Sequence, residues 1–299
     1  MEKAIEILNF KKAFGKNVVI EDLSFDVLEG EVFAFLGANG SGKTTTIRAL
    51  LNIIPPDAGT LKVYGKKYAP SMSSVLGYLP EERGLYINSK VLETMIYMGQ
   101  LKDMSYQDAK KNALEYLERI DLADKADFKI KQLSSGQQQK IQLGITVINK
   151  PKLLILDEPT KGLDPVNRNL MLEIFMELNK NQQTTILFST HQMEEAEKIA
   201  NRLIMIKNGD KVLYGDIDEV KRSFGTNIIH ITYTGKFPLD KDLYDAKVET
   251  NYAELTPKKG ISTDKIMRHL IDSDIEIHEF QIGVPSLNEI FIKVSNDEK

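Results

Sequence analysis

The chain has 299 residues, 42% of them hydrophobic and 27% charged, and its 43 acidic side chains outnumber 39 basic ones for a net charge of −4. That balance predicts a globular protein with a sizeable core, long enough for one large domain plus an appendage, and it lacks the basic footprint of a general nucleic-acid binder. No cysteine is present, which excludes disulfides, zinc-thiolate sites and thiol nucleophiles and suits a reducing compartment.

Met1–Glu6 has no apolar core of the signal-peptide kind, and the longest apolar runs, such as Val32–Leu36 and Leu153–Leu156, are far too short to span a bilayer. Any membrane role is therefore expected to come through a partner. Strand-like and turn-like pieces alternate up to Glu31–Leu36, a short apolar run that reads as a buried strand. It stops at Gly37, and a helical pattern follows over Thr45–Ile54 until Pro55-Pro56 ends it. From about Val91 to Asn149 the texture is helical. Ser105 is placed to cap one helix, with Asp108 three residues on and Ala109, Ala113, Leu114, Leu117 and Ile120 as its apolar stripe. A second helix is predicted after Ser134-Ser135, burying Ile141, Ile145 and Ile148.

Leu153–Leu156 and Thr185–Phe188 are separated by a helical stretch around Asn167–Lys180 and read as parallel strands, buried on both faces of an α/β sheet. Leu203–Ile206 followed by Asn208-Gly209-Asp210 predicts a strand entering a hairpin turn. Beyond about Phe224 the texture changes. A strand at Ile228–Tyr233, a helix at Thr263–Ile271, a strand at Ile275–Ile282 and a capping box at Ser286–Glu289 that opens a last helix predict a small α+β appendage.

Two motifs carry chemistry. Gly37-Ala38-Asn39-Gly40-Ser41-Gly42-Lys43-Thr44 fits G-x-x-x-x-G-K-S/T, and it lies between a strand and a helix as a phosphate-binding loop requires. Its glycines let backbone N–H groups converge on phosphate oxygens, and the helix that follows, with Thr45 in its first turn, adds its positive end. Lys43 is expected to neutralise the β- and γ-phosphates, and the Thr44 hydroxyl to ligate Mg²⁺. Downstream, the apolar strand Leu153–Leu156 ends in Asp157-Glu158, which puts two carboxylates at the edge where open α/β sheets bind ligands. Asp157 suits the metal shell, and Glu158 suits positioning or activating water. A strand ending in two acids is commonplace alone; the upstream loop gives it meaning.

Between these motifs stands Leu133-Ser134-Ser135-Gly136-Gln137, which resembles the LSGGQ signature of ABC-family ATPases. The resemblance covers about Ile5 to Gly225 and extends to Gly162-Leu163-Asp164, similar to the family's D-loop, to His191, similar to its switch histidine, and to Phe14, where the family stacks an aromatic ring on adenine. It implies a RecA-like P-loop NTPase core with antiparallel β and helical subdomains (the latter about residues 91–149), spanning 1–225, and a small C-terminal α+β domain over 226–299. It also implies a head-to-tail dimer, as a homodimer or with a related ATPase chain. Each ATP would lie between Gly37–Thr44 of one subunit and Ser134–Gln137 of the other, with Asp164 coupling the two sites. Three positions depart from the family: Ser135 replaces a glycine, Glu81 stands where glutamine is usual, and Phe14 where tyrosine is more frequent. Glu81 can still reach a metal but adds negative charge near the triphosphate. Without the family context, Ser134-Ser135 could be only a helix cap, His191 a loop histidine and Phe14 packing.

The segment Gly77–Glu93 and the tail Pro285–Phe291 are similar to ATPases of bacterial exporters whose membrane subunit is a separate polypeptide. An integral-membrane permease, a cytoplasmic location on the inner face of the membrane, and no nucleic acid follow as expectations. Leu85, Tyr86, Ile87 and Met95 are either a docking groove or core. A soluble ABC ATPase serving a ribosome or nucleic-acid machine, and a P-loop small-molecule kinase, are the competing readings; the kinase leaves the signature and His191 unexplained.

Overall fold

The computed structural model describes residues 2–82, 84–224 and 228–296. They divide into two compact units, Met1–Ile217 and Asp218–Lys299.

In the first unit, β1 (Lys3–Phe14) and β2 (Asn17–Leu28) form a long antiparallel hairpin that leads into β3 (Val32–Leu36), α1 (Lys43–Leu50), β4 (Ala58–Val63) and β5 (Leu76–Leu79). The helices α2 (Val91–Gln100), α3 (Tyr106–Arg119) and α4 (Ser135–Val147) follow. The chain then continues through β6 (Leu153–Asp157), α5 (Pro165–Gln182), β7 (Thr185–Thr190), α6 (Met193–Ile199), β8 (Arg202–Lys207) and β9 (Asp210–Asp216). One sheet is antiparallel, in the order β2-β1-β4. The other has the order β5-β6-β7-β3-β8-β9 and is parallel except for β9, which pairs back on β8 through a two-residue hairpin.

Every residue of β3, β6 and β7 is buried, as the continuous apolar runs predict. The inner faces of both sheets share one core. Ile5, Ile7 and Phe10 of β1 and Ile20, Leu23 and Phe25 of β2 join Phe33, Phe35, Ile155 and Leu187 of the parallel sheet. Phe25 stacks on Phe33 with centroids 5.6 Å apart.

Register decides where the chemistry lies. Leu36 pairs with Thr190 and Asp157 with Ser189, so the segments leaving β3, β6 and β7 emerge side by side at one carboxyl edge of the sheet. The helix after β3 ends at Leu50, short of the expected Ile54, where Asn52 takes a left-handed φ of 54°. In α3 the Ser105 cap forms, its hydroxyl accepting from the Asp108 N–H at 3.1 Å. Its stripe differs in one place: Leu114 is exposed while Tyr116 turns inward to donate its hydroxyl to Lys140 O at 2.9 Å. α4 is buried far beyond a simple stripe. Gln139, Lys140 and Gln142 are buried with Ile141, whereas Ile145 is only half-buried.

In the second unit, α7 (Ile217–Phe224) precedes β10 (Ile228–Thr234), β11 (Tyr244–Val248), β12 (Tyr252–Pro257), α8 (Thr263–Ile271), β13 (Glu276–Gly283) and α9 (Leu287–Asn296). The four strands are antiparallel in the order β11-β12-β10-β13, and α8 packs Ile266 and Leu270 against Ile229, Ile231 and Leu255 on one face. β11 and β12 are additions to the elements expected from sequence. The division falls after Ile217 rather than after residue 225 because α7 keeps company with the appendage: Lys293 of α9 sits 5.9 Å from the Phe224 ring centroid.

Candidate functional site

The loop after β3 is shaped by what cannot carry a Cβ. A side chain on Gly37 would lie 2.5 Å from Ile206 O, and one on Gly42, which has a φ of 108°, would lie 2.5 Å from Ile20 Cδ1. Glycine at both positions lets the loop tuck against β8 and β2 and enter α1 directly. The loop, together with Glu81, Glu158 and Lys161, lines a polar cleft of about 310 Å³ over Asn39–Thr45. Lys43 is buried and its ammonium donates to Gly37 O (2.8 Å) and Ala38 O (3.2 Å) while lying 3.3 Å from Glu158 Oε1. The buried Ser41 hydroxyl has no hydrogen-bond partner.

Asp157 is fully buried, and Ser189 donates to its Oδ1 at 2.6 Å. Its Oδ2 has no hydrogen-bond partner. Burial pushes this carboxyl above the usual aspartate range, opposed by the hydroxyls of Ser189 and Thr44 and reinforced by the nearby Glu81 and Glu158. Glu158 is held in a left-handed conformation (φ 49°), with its N–H donating to Ser189 O at 3.2 Å and Ser189 Oγ at 3.0 Å. That turn aims one oxygen, Oε1, at Lys43 and the other at His191, whose Nδ1 lies 2.9 Å from Oε2.

The structure thus brings together Gly37–Thr45, Glu81, Asp157, Glu158 and His191. It does not bring in the others. Phe14 is exposed beside the Lys12 ammonium. Ser134 caps α4, accepting from the Gln137 N–H at 3.2 Å while the Gln137 side chain accepts from the Ser134 N–H at 2.9 Å. Ser135 is exposed in the first turn of that helix and Gly136 is half-buried. Asp164 caps α5 through the Asn167 N–H at 3.0 Å, and that bond holds its carboxyl below the usual range. Of the four apolar residues weighed between docking groove and core, Met95 is fully buried, and Tyr86 and Ile87 are exposed.

Several residues around the site escape sequence reasoning. Lys161 enters the cleft, its ammonium 2.5 Å from Glu81 Oε1. Glu195 on α6 is buried, accepting from Thr160 Oγ1 at 2.6 Å and from Thr190 Oγ1 at 2.9 Å, with Arg168 Nε at 3.5 Å. Burial pushes its carboxyl up against those hydroxyl bonds. This network ties the segment after Glu158 to the strand end before His191. The available signals were Thr160 in the turn after β6 and Thr190 at the end of β7; a glutamate in the helix Met193–Ile199 gives none.

A strand, a phosphate-binding loop and a helix, with an acid pair at the end of β6 one strand removed from β3 at the same carboxyl edge, define a P-loop NTPase. Residues 20–161 match the family described as ABC transporter, and residues 215–295 match the domain described as ATP-binding protein DrrA1-3-like, C-terminal domain. The chain is 37% identical over 294 residues to the uncharacterized ABC transporter ATP-binding protein YhaQ of Bacillus subtilis, covering 94% of this chain and 95% of that one. It is 35% identical to Nod factor export ATP-binding protein I of Paraburkholderia xenovorans, over 91% of this chain and 88% of that protein. It is also 36% identical to the linearmycin resistance ATP-binding protein of Bacillus subtilis, over 76% and 74%. A solved ATP binding subunit of an ABC transporter superposes with a TM-score of 0.68 at 27% identity, over 74% of this chain and 93% of that chain. The chain belongs to the ABC transporter family as an ATP-binding, ATP-hydrolysing subunit. The kinase and ribosome-machine readings are not favoured. Among the described residues, no helix is long and apolar enough to cross a membrane.

Proposed function

We propose that this subunit binds Mg-ATP at Gly37–Thr45 and uses its hydrolysis to power export through a separate integral-membrane permease. It would sit on the cytoplasmic face of the membrane as one of a pair of ATPase chains. The observation that carries the catalytic part is the pairing of Glu158 with both Lys43 and His191 at the mouth of the phosphate loop. Export is supported by the name of the Nod factor export relative, and a permease partner by the family.

The residues present fit a magnesium ion. Asp157 Oδ2 is a buried acceptor without a partner, the Thr44 hydroxyl is near the same carboxyl, and Glu81 lines the cleft. Magnesium is commonly held by one or two carboxylates with the substrate's phosphates, not by a dedicated protein cage. Among the described residues no cluster of three metal-ligating side chains exists. When bound, the ion would neutralise the β- and γ-oxygens of ATP.

The chain's own groups do the rest. An incoming triphosphate competes with Gly37 O and Ala38 O for the Lys43 ammonium, and Ser41 Oγ and the loop N–H groups become phosphate donors. Glu158 is placed to accept a proton from attacking water, and His191 holds Glu158 Oε2 in position. Ser134–Gln137 lie outside the cleft lining, so Ser134 and the first turn of α4 are available to complete the γ-phosphate cage of a second subunit, with Asp164 and Phe14 completing the coupling and adenine contacts. The exposed Tyr86 and Tyr97, edge to face at 6.4 Å, border a groove of about 310 Å³ suited to the permease. Co-purification with a membrane protein and ATPase activity stimulated by that partner test the assignment. Activity indifferent to any membrane partner, with ribosome co-purification instead, would sink it.

A further inference from the structure

Glutamate at position 81 poses an electrostatic problem, because it brings a negative charge to a site that must receive a triphosphate. The chain supplies an answer eighty residues away. Lys161 Nζ lies 2.5 Å from Glu81 Oε1, and both side chains line the cleft with Asn39–Thr45 and Glu158. Their loops are fixed from a common element. Buried Gln142 on α4 donates to Pro80 O at 3.4 Å and Glu82 O at 3.3 Å, on either side of Glu81. Buried Gln139, one turn earlier, donates to Pro159 O at 3.0 Å, and the Lys161 N–H returns to Glu158 O at 3.1 Å. The ion pair therefore bridges two backbone segments that one helix holds in register.

We propose that Lys161 is a positioning residue for Glu81, neutralising it and competing with Mg²⁺ for its carboxylate, so that this lysine sets the Mg²⁺ concentration the nucleotide site requires. The inference rests on the Mg-ATP reading given above. Lys161 is half exposed, so the pair is screened and weak enough for Glu81 to exchange one cation for another. Removing the ammonium has two consequences of opposite sign. Glu81 is freed for the metal, which lowers the Mg²⁺ requirement. Without metal the cleft becomes more negative, which weakens nucleotide binding.

The test is binding of a fluorescent ATP analogue to the full-length protein, titrated with MgCl₂ and repeated in EDTA. Lys161→Ala is expected to lower the half-saturating Mg²⁺ about two- to five-fold and to weaken binding in EDTA by a similar factor, with Lys161→Arg close to the parent. In a Glu81→Gln background, Lys161→Ala should no longer move the Mg²⁺ midpoint. A midpoint unchanged by Lys161→Ala in the parent, or an equal shift persisting with Glu81→Gln, overturns the proposal. Saturable, Mg²⁺-dependent binding by the parent that Lys43→Ala abolishes shows that the underlying reading stands in either case; loss of that control defeats the Mg-ATP reading and this proposal with it.

Discussion

The two units of this chain solve folding with the same ingredients and differ in what they leave unsatisfied. Residues 218–296 close a four-stranded antiparallel sheet over one helix. Its core gathers Ile229, Ile231, Tyr233, Leu255, Ile266 and Leu270, and the buried atom it leaves without a hydrogen-bond partner among the described residues is a side-chain nitrogen on α8, His269 Nε2, with no second such atom beside it. The larger unit buries a fully covered parallel sheet and then, at one edge, keeps Asp157 Oδ2, Glu158 Oε1 and Ser41 Oγ buried without hydrogen-bond partners. Buried polar atoms without partners are costly and are tolerated where a ligand supplies what is missing. Stability and function are thus separated along the chain, and substitutions in the two units should fail in different ways.

The largest effect is expected at Glu158. Glu158→Gln keeps the shape and the His191 contact but removes the acceptor carboxylate, so kcat for ATP hydrolysis should fall about 10²–10⁴-fold with nucleotide binding retained. Steady-state phosphate release with a parallel binding titration checks this; unchanged turnover would remove Glu158 from its role. The matching break in the other unit is Leu255→Ala. Leu255 is fully buried, and its truncation should cost about 2–5 kcal/mol of that unit's stability. A denaturation profile with an early transition for residues 218–299, and ATPase per folded molecule close to the parent, is the expected result. A loss of turnover matching that of Glu158→Gln would erase the distinction between the units.

A gain in stability is expected at Asp157. Its folded pKa is raised above the ordinary value of 3.8 by burial, so the stability its protonated form contributes is complete below that value. That stability is lost as pH rises through the folded pKa, and near neutrality the ionised acid is a burden. Asp157→Asn, which can still accept from Ser189, should therefore stabilise the protein near pH 7 and change its stability little below pH 3.8. It should also weaken Mg²⁺-dependent nucleotide binding. Thermal melts across pH decide the sign; destabilisation at neutral pH would contradict the burial argument.

The contrast also explains what could be read in advance. The phosphate loop was legible because glycine spacing, lysine and threonine are dictated by phosphate chemistry within eight consecutive residues. β3, β6 and β7 were legible because burial on both faces leaves uninterrupted apolar runs. Lys161 was not, since its meaning depends on Glu81 in a different loop. Glu195 was not either, because a glutamate early in a helix ordinarily faces solvent, and its burial is made tolerable by Thr160 from the turn after β6, Thr190 from the end of β7 and the Arg168 guanidinium. In the smaller unit β10, α8, β13 and the Ser286 cap were legible, but in β11 and β12 the apolar Val248 and Tyr252 are exposed while small Ala246 and Ala253 take inward positions, which blurs the alternation.

The smallest expected effect gives the sharpest comparison, because the same local device occurs in both units. Ser134 caps α4 by accepting from the Gln137 N–H at 3.2 Å, and Ser286 caps α9 by accepting from the Glu289 N–H at 3.2 Å. Each box is closed by the longer side chain, Gln137 accepting from the Ser134 N–H at 2.9 Å and Glu289 from the Ser286 N–H at 2.7 Å. Replacing either serine with alanine should cost roughly 1 kcal/mol of stability for the cap bond, with Ser286→Ala also losing the hydroxyl's donation to Glu289 Oε2 at 2.9 Å. If Ser134 also reaches the γ-phosphate of a second subunit, Ser134→Ala alone should lower ATP-driven dimerisation and turnover beyond what its melting shift explains. Turnover lowered no further than the melting shift explains would reduce Ser134 to a helix cap and leave the second half of the nucleotide site to be found elsewhere.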